Sequence, residues 1–234
     1  MEQAEKLRRF PAHRYKYGKQ TKAIDLETFK AMLDKVDKRR LRNPPKYPSL
    51  LIKSLLSLLY WTGLRKTEAI GSPPKRYTLK PCKRHAEAIA KVSEAIPGIL
   101  KEDLWIEGEW LFVKALARKH GSREAPLILH LSLPCVDLIL EQWKLTLPKQ
   151  RVFPISEWDA WHTMKLIDQK KYLHFFRFNR ITQLCANPKM SVLQICNWTG
   201  LSPITINAYM ERSGRYIKET AEKMREQYIG IRAE

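Results

Sequence analysis

His174 and Arg177 stand three residues apart inside an otherwise apolar run, Leu173, Phe175, Phe176 and Phe178. Burying a cation among aromatic rings costs on the order of several kcal/mol unless it is paired or faces a cleft that receives an anion. A polyanion is therefore the first partner to consider. The stretch Thr62-Gly63-Leu64-Arg65-Lys66-Thr67-Glu68-Ala69 offers a further cation. Gly63 permits a sharp turn that presents Arg65 just beyond an apolar segment, and Glu68, one helical turn on, can orient it. The same residues also read as a surface arginine in an ordinary i,i+3 ion pair, and such pairs are weak. A last cluster, Arg118-Lys119-His120-Gly121-Ser122-Arg123, is either a solvated basic turn or a hairpin tip that delivers one ammonium group to a phosphate oxygen.

The bulk composition agrees with an anionic partner. Among 234 residues, 43 Lys and Arg oppose 24 Asp and Glu, a formal net charge of +19. Charge of this size repels itself, so a standing polyanion is expected, DNA or RNA before an anionic membrane surface. At 44% hydrophobic residues the chain can bury a sizeable core as one large domain or two small ones. No run of about eighteen apolar residues could span a bilayer, and the opening MEQAEKLRRF lacks the apolar centre of a signal peptide. The expectation is a soluble protein with no membrane partner, cytoplasmic in a prokaryotic cell or its virus or plasmid, or otherwise intracellular with DNA. Cys82, Cys135, Cys185 and Cys196 show no CxxC pairing, and the histidines show no metal-site spacing. Reduced core cysteines, no metal and no cofactor are expected.

Several elements must position these groups. Residues 1–22 form a basic arm, either a solvated tail or a DNA contact. Asp25 can cap a helix with its apolar face at Leu26, Phe29, Met32, Leu33 and Val36. A proline-rich linker ends it, and Ser49 can cap a second helix, LLIKSLLSLLYW, apolar on nearly all sides and so central to the core. Residues 71–98 are basic and punctuated by prolines, with a short helix expected from Arg84 to Ile96. They are an insertion on the DNA face or a surface excursion. Leu104 to Ile106 and Trp110 to Val113, around Gly108, read as a hairpin, with another strand at Ala125 to Leu129. Ser132 can cap a helix with Val136, Ile139, Leu140 and Trp143 on its apolar face. An extended Arg151 to Ile155 follows, then a helix with Trp158 and Trp161, a helix from Leu173 to Cys185, and a short one from Pro188 or Ser191 through Cys196. Ser202-Pro203 signals the start of a helix containing Tyr209. Apolar positions from Tyr216 to Ile229 predict a terminal amphipathic helix over 215–234 that packs at home or docks on a neighbour.

In this order the signals line up with a family. WTGLRKTEA resembles the first arginine box of the tyrosine recombinases, or phage-type integrases, and HFFRFNRITQL resembles their second, with His174, Arg177, Thr182 and Leu184 at the matching places. RVFPIS looks like the family's segment between hairpin and second box, and Tyr209 lies on a helix where the family's tyrosine is expected. The resemblance spans roughly Thr21 to Gly214, a catalytic domain. It implies an α+β fold, mainly helical with a small antiparallel sheet, over 23–214. Departures are a first segment too short for the family's core-binding domain, a longer 71–98 connection, and Gly200 where members carry Gly-His or Gly-Trp nine residues before the tyrosine. Trp198, two residues earlier, is the candidate for that role, with a plain core tryptophan as the other reading.

The resemblance implies strand cleavage and rejoining through a 3′-phosphotyrosyl intermediate, without a cofactor, on double-stranded DNA. Tyr209 would be the nucleophile, with Tyr216 its competitor. Arg65 and Arg177 would grip the non-bridging phosphate oxygens, a task suited to forked guanidinium groups. His174 would accept a proton or hold an oxygen, Glu68 would orient Arg65, and Lys119 would protonate the leaving oxygen, with Arg118 and Lys114 as the alternative hairpin cations. Lys66, Arg118, Arg123 and Arg180 are expected DNA contacts. Such a site-specific recombinase or integrase works as a homo-oligomer, a synaptic tetramer on DNA and a monomer when free. The alternatives are a topoisomerase IB-like relaxing activity and a recombinase-like DNA-binding protein that has lost catalysis.

Overall fold

The computed structural model describes residues 23–38, 46–74, 76–79, 89–92, 95–115 and 126–213. Helix α1 (Leu26–Lys38) opens on Asp25, whose carboxylate accepts the Thr28 N–H at 2.7 Å, and buries Phe29, Met32, Leu33 and Val36. Helix α2 (Ser49–Thr62) is the central element, with Leu51, Ile52, Leu55, Leu56, Leu58 and Leu59 all buried. Its buried serines are satisfied within the helix: Ser54 donates to Leu51 O at 3.0 Å and Ser57 to Lys53 O at 2.9 Å. Pro48, not Ser49, occupies the cap position, and no side chain caps this end. The short helix α3 (Lys66–Ile70) follows the Gly63 turn.

Beyond α3 the backbone pairs antiparallel across Ser72 and Ile96. Ser72 and Ile96 exchange backbone hydrogen bonds of 2.8 Å in both directions. Gly71 and Gly98 lie so close there that a Cβ on Gly98 would stand 2.7 Å from Gly71 N. Between them, β1 (Arg76–Leu79) pairs antiparallel with β2 (Ile89–Val92). The helix expected from Arg84 to Ile96 is therefore a strand where it is described. Its Ala- and Glu-rich composition favours a helix locally, but cross-strand pairing of the β-branched Ile89 and Val92 with Arg76–Leu79 overrides so weak a preference.

Strands β3 (Leu104–Glu107), β4 (Trp110–Val113) and β5 (Leu127–His130) make a three-stranded antiparallel sheet in sequential order. Leu104, Leu111, Val113, Leu127 and Leu129 point from it into the core. Arg118, Lys119 and Arg123, between β4 and β5, lie outside the described residues, as do the basic arm over 1–22, Tyr216 and the terminal helix. The extended segment at Arg151 bridges Leu100 and buries Val152 and Phe153. Helix α4 (Val136–Leu145) begins later than Ser132 predicts. Ser132 instead engages His130 Nδ1 at 2.6 Å, and Cys135 takes a left-handed conformation, φ 65°, before the helix starts.

Helices α5 (Glu157–Ile167), α6 (His174–Ala186), α7 (Val192–Thr199) and α8 (Pro203–Ser213) complete the described fold. Ser156 and Ser191 cap α5 and α7 by accepting N–H bonds from Asp159 and Gln194. Phe29 stacks on Tyr60 at 4.1 Å between ring centres and meets Phe176 edge-on at 6.0 Å, locking α1, α2 and α6 together. Residue 24 is strapped to α6: Ile24 N–H donates to Asn179 Oδ1 at 2.7 Å, and Gln183 Nε2 donates to Ile24 O at 3.1 Å. A second apolar cluster, Ile181, Leu184, Cys185, Ile195, Cys196, Ile206 and Met210, joins α6, α7 and α8. Among the described residues no helix is long and apolar enough to cross a membrane.

Candidate phosphate-binding site between two helix ends

Helix α2 ends at Thr62 because Gly63 adopts φ 67°, where an L side chain is strained, and its N–H closes on Leu59 O at 2.9 Å. The turn needs glycine for space as well, since a Cβ on Gly63 would stand 3.0 Å from Arg180 Cβ. The chain then places Arg65 at the start of α3. Glu68 holds it twice: its carboxylate accepts the Arg65 N–H at 2.8 Å and Arg65 Nη1 at 2.5 Å. Glu68 is buried, whereas the Arg65 side chain keeps 20% of its surface exposed. Lys66 reaches away to Glu157 of α5, at 2.5 Å.

Arg177 is held differently. It is only 3% exposed, and its two terminal nitrogens donate to backbone carbonyls, Nη1 to Gly63 O at 2.9 Å and Nη2 to Thr199 O at 2.7 Å. Both carbonyls belong to helix C-termini, where oxygens lack intrahelical partners and carry the negative end of the helix dipole. Charge-assisted bonds of this kind contribute about 1.5–3 kcal/mol each, which offsets much of the desolvation of the guanidinium.

His174 begins α6 on an exposed face, yet surrounding protein lowers its pKa below the ordinary 6.5: burial leads, the charges of Arg177, Arg65 and Lys66 add to it, and Glu68 opposes. His174 stands one helical turn before Arg177 on α6. Its side chain makes no hydrogen bond to the described residues. Tyr209, half-buried on α8, lies against α6 with its ring 5.5 Å from that of Phe178, the residue after Arg177. Trp198 packs beside the first turn, its indole N–H donating to Thr62 O at 3.1 Å. Gly200, φ 63°, is the left-handed cap of α7.

The structure thus gathers Arg65, Glu68, Arg177 and Trp198 around the Gly63 turn, sets His174 one turn before Arg177 on α6, and lays Tyr209 against α6. Arg180 has its guanidinium carbon 5.5 Å from the Trp61 ring centre and 5.7 Å from that of Trp198. Burial pulls its pKa down, against a raising contribution from Tyr60. One feature escaped sequence reasoning although its signal was present. The tetrapeptide Trp-Thr-Gly-Leu occurs twice, at 61–64 and at 198–201, and each copy ends a helix with a left-handed glycine. In both, the threonine hydroxyl donates back one turn, Thr62 to Leu58 O and Thr199 to Ile195 O, and accepts the N–H of the following leucine, at 3.3 Å in each case. The two identical ends meet around Arg177.

Among the described residues no three His, Cys, Asp or Glu side chains converge as metal ligands would. The site offers instead guanidinium and imidazole groups around a turn, with Glu68 the acidic group among His174's charged neighbours. Such an arrangement suits an anion with several oxygens.

No protein-family model matches the chain, and neither does any curated protein. Two solved structures resemble it. One is the XerH site-specific recombinase bound to its difH substrate in a pre-cleavage complex, with TM-score 0.53, 13% identity, and coverage of 80% of this chain and 49% of that one. The other is XerH on a palindromic difH substrate in a post-cleavage complex, with TM-score 0.52, 15% identity, and coverage of 87% and 53%. The fold is tyrosine-recombinase-like. At such identity the likeness is one of fold, and the chain spans about half the length of the recombinase chains it matches.

Proposed function

We propose that this protein is a DNA strand transferase of the tyrosine-recombinase type, acting on double-stranded DNA. The observation that carries the reading is the shared neighbourhood of Arg65, His174 and Arg177, with Tyr209 on the adjoining helix. Arg65 and Arg177 bind the non-bridging oxygens of the scissile phosphate and neutralise the charge of the pentacoordinate transition state. The Tyr209 hydroxyl attacks phosphorus and forms a 3′-phosphotyrosyl bond as the bond to the 5′-oxygen breaks. His174, kept neutral near pH 7 by its surroundings, takes the tyrosine proton. Lys119 gives a proton to the leaving 5′-oxygen, with Lys114 and Arg118 as the other cations of that hairpin. Trp198 buttresses the turn that carries Arg65. Lys66, Arg118 and Arg123 contribute phosphate contacts along the duplex. Rejoining runs the same steps backwards, and exchange between two DNA sites requires several protomers, a synaptic tetramer. The likeness to DNA-bound recombinase complexes supports the DNA substrate.

Tyr209→Phe tests this directly. It is expected to keep DNA affinity and to lose all covalent adduct on a nicked suicide substrate. A variant that still forms adduct at the wild-type yield removes Tyr209 from the role. Wild-type protein that binds duplex DNA but never forms an adduct or relaxes supercoils would instead be a DNA-binding protein on this fold.

A further inference from the structure

Arg180 is a cation in an unusual place. Its guanidinium lies between the indoles of Trp61 and Trp198, and its Nε is buried without a hydrogen-bond partner among the described residues. Its hydrogen bond to Gln183 Oε1 is long, 3.4 Å. The stem of the side chain crosses the Gly63 turn, with Cβ and Cγ 3.0 and 3.1 Å from where a Gly63 Cβ would stand. The two indoles are the first residues of the twin Trp-Thr-Gly-Leu segments, and each is fixed by its own N–H, Trp61 to Pro134 O at 2.8 Å and Trp198 to Thr62 O at 3.1 Å. Arg177, one turn earlier on α6, binds a backbone carbonyl of each of the same two segments. One helix therefore sends two arginines into the junction, one to the carbonyls and one to the rings.

We infer that Arg180 is a positioning residue: clasped by Trp61 and Trp198, it fixes the two helix ends at the separation that Arg177 and Arg65 need, and it does not contact DNA. A flat guanidinium can lie against two ring faces at once, which a compact ammonium cannot do. Its effect on cleavage rests on the strand-transferase reading, and its effect on the junction does not.

The test uses the full chain with Arg180→Met, Trp61→Leu and the double variant. For Arg180→Met the expectation is adduct formation slowed about 10- to 100-fold, the range that misplacement of an anchoring group produces. DNA affinity and the slope of log affinity against log salt stay at wild-type values. Trp61→Leu slows adduct formation likewise, and in thermal unfolding it lowers the midpoint less in the Arg180→Met background than alone. A salt slope smaller by about one, with adduct formation per bound complex unchanged, would make Arg180 a phosphate ligand and overturn the inference. So would additive shifts of the unfolding midpoint. Should Arg180→Met not fold, Trp61→Leu carries the test by itself, since it removes a ring face and no charge: slowed adduct formation at unchanged affinity supports the clasp, and a wild-type rate refutes it. If the wild-type chain forms no adduct, the strand-transferase reading falls, and the unfolding cycle still decides for or against the clasp.

Discussion

Arg65 and Arg177 approach the Gly63 turn from opposite sides, one held by a carboxylate and the other by backbone oxygens. Arg65 pairs with buried Glu68, so the unit has no net charge and leans on a partner only three residues away. Arg177 lies deeper and bonds to Gly63 O and Thr199 O, two backbone oxygens far apart in the chain. Arg177 joins the two helix ends from within, while Arg65, 20% exposed, stands at the edge of the junction. The same difference decides how each can fail. Glu68 can be changed along with Arg65, but no substitution removes a carbonyl.

Arg177→Ala should therefore give the largest loss. It leaves two buried carbonyls without their donors at about 1–3 kcal/mol each, so stability should fall by roughly 2–6 kcal/mol in urea unfolding. Since Arg177 touches both helix ends, α7 should loosen with it, seen as faster amide exchange at Ile195 to Thr199. A loss below about 1 kcal/mol would mean that water replaces the guanidinium freely and that Arg177 does not hold the junction.

Arg65→Ala should cost less, about 1–3 kcal/mol, because the partly exposed site admits water to the stranded Glu68 carboxylate. Adding Glu68→Gln should recover most of that loss, as it removes the unpaired charge while keeping an acceptor for the Arg65 N–H. If the double variant is no more stable than Arg65→Ala, the carboxylate is not what the arginine neutralises, and the contrast with Arg177 disappears.

Much of this contrast was legible in the sequence, and most of its missing parts depend on residues far apart in the chain. Helix α2 announced itself by being apolar on nearly every side, α8 by Ser202-Pro203, and the β3–β4 hairpin by Gly108. Glu68 as the orienting partner of Arg65 followed from i,i+3 spacing. These are local rules, and they held for these features, though not for the cap of α2, where Pro48 stands in place of Ser49. The strand at Ile89–Val92 did not follow from them, because its hydrogen-bond partners lie at Arg76–Leu79 and its own composition argues for a helix. The late start of α4 turned on His130 capturing Ser132. The environment of Arg180 is made by Trp61 and Trp198, far apart in sequence. Helical spacing could place Arg177 near a cleft but could not say that Gly63 and Thr199 would receive it. The repeated Trp-Thr-Gly-Leu was visible throughout, yet its meaning depends on two helix ends meeting.

His174, a neighbour of both arginines by charge, gives the smallest expected effect. Its folded pKa lies below the ordinary 6.5, so the native protein takes a proton there less readily than the unfolded chain does. The corresponding stability is complete above pH 6.5 and drains away as pH falls through the folded value. His174→Gln should therefore make unfolding midpoints decline less between pH 7.5 and pH 5 than they do in the wild-type protein. Burial lowers this pKa most, the charges of Arg177, Arg65 and Lys66 add to it, and Glu68 opposes. Glu68→Gln removes the opposing charge and leaves Arg65 unneutralised. An NMR titration of the His174 ring should then show its pKa fall further. A His174 pKa that rises or stays put in Glu68→Gln would mean that the Glu68 charge does not reach His174.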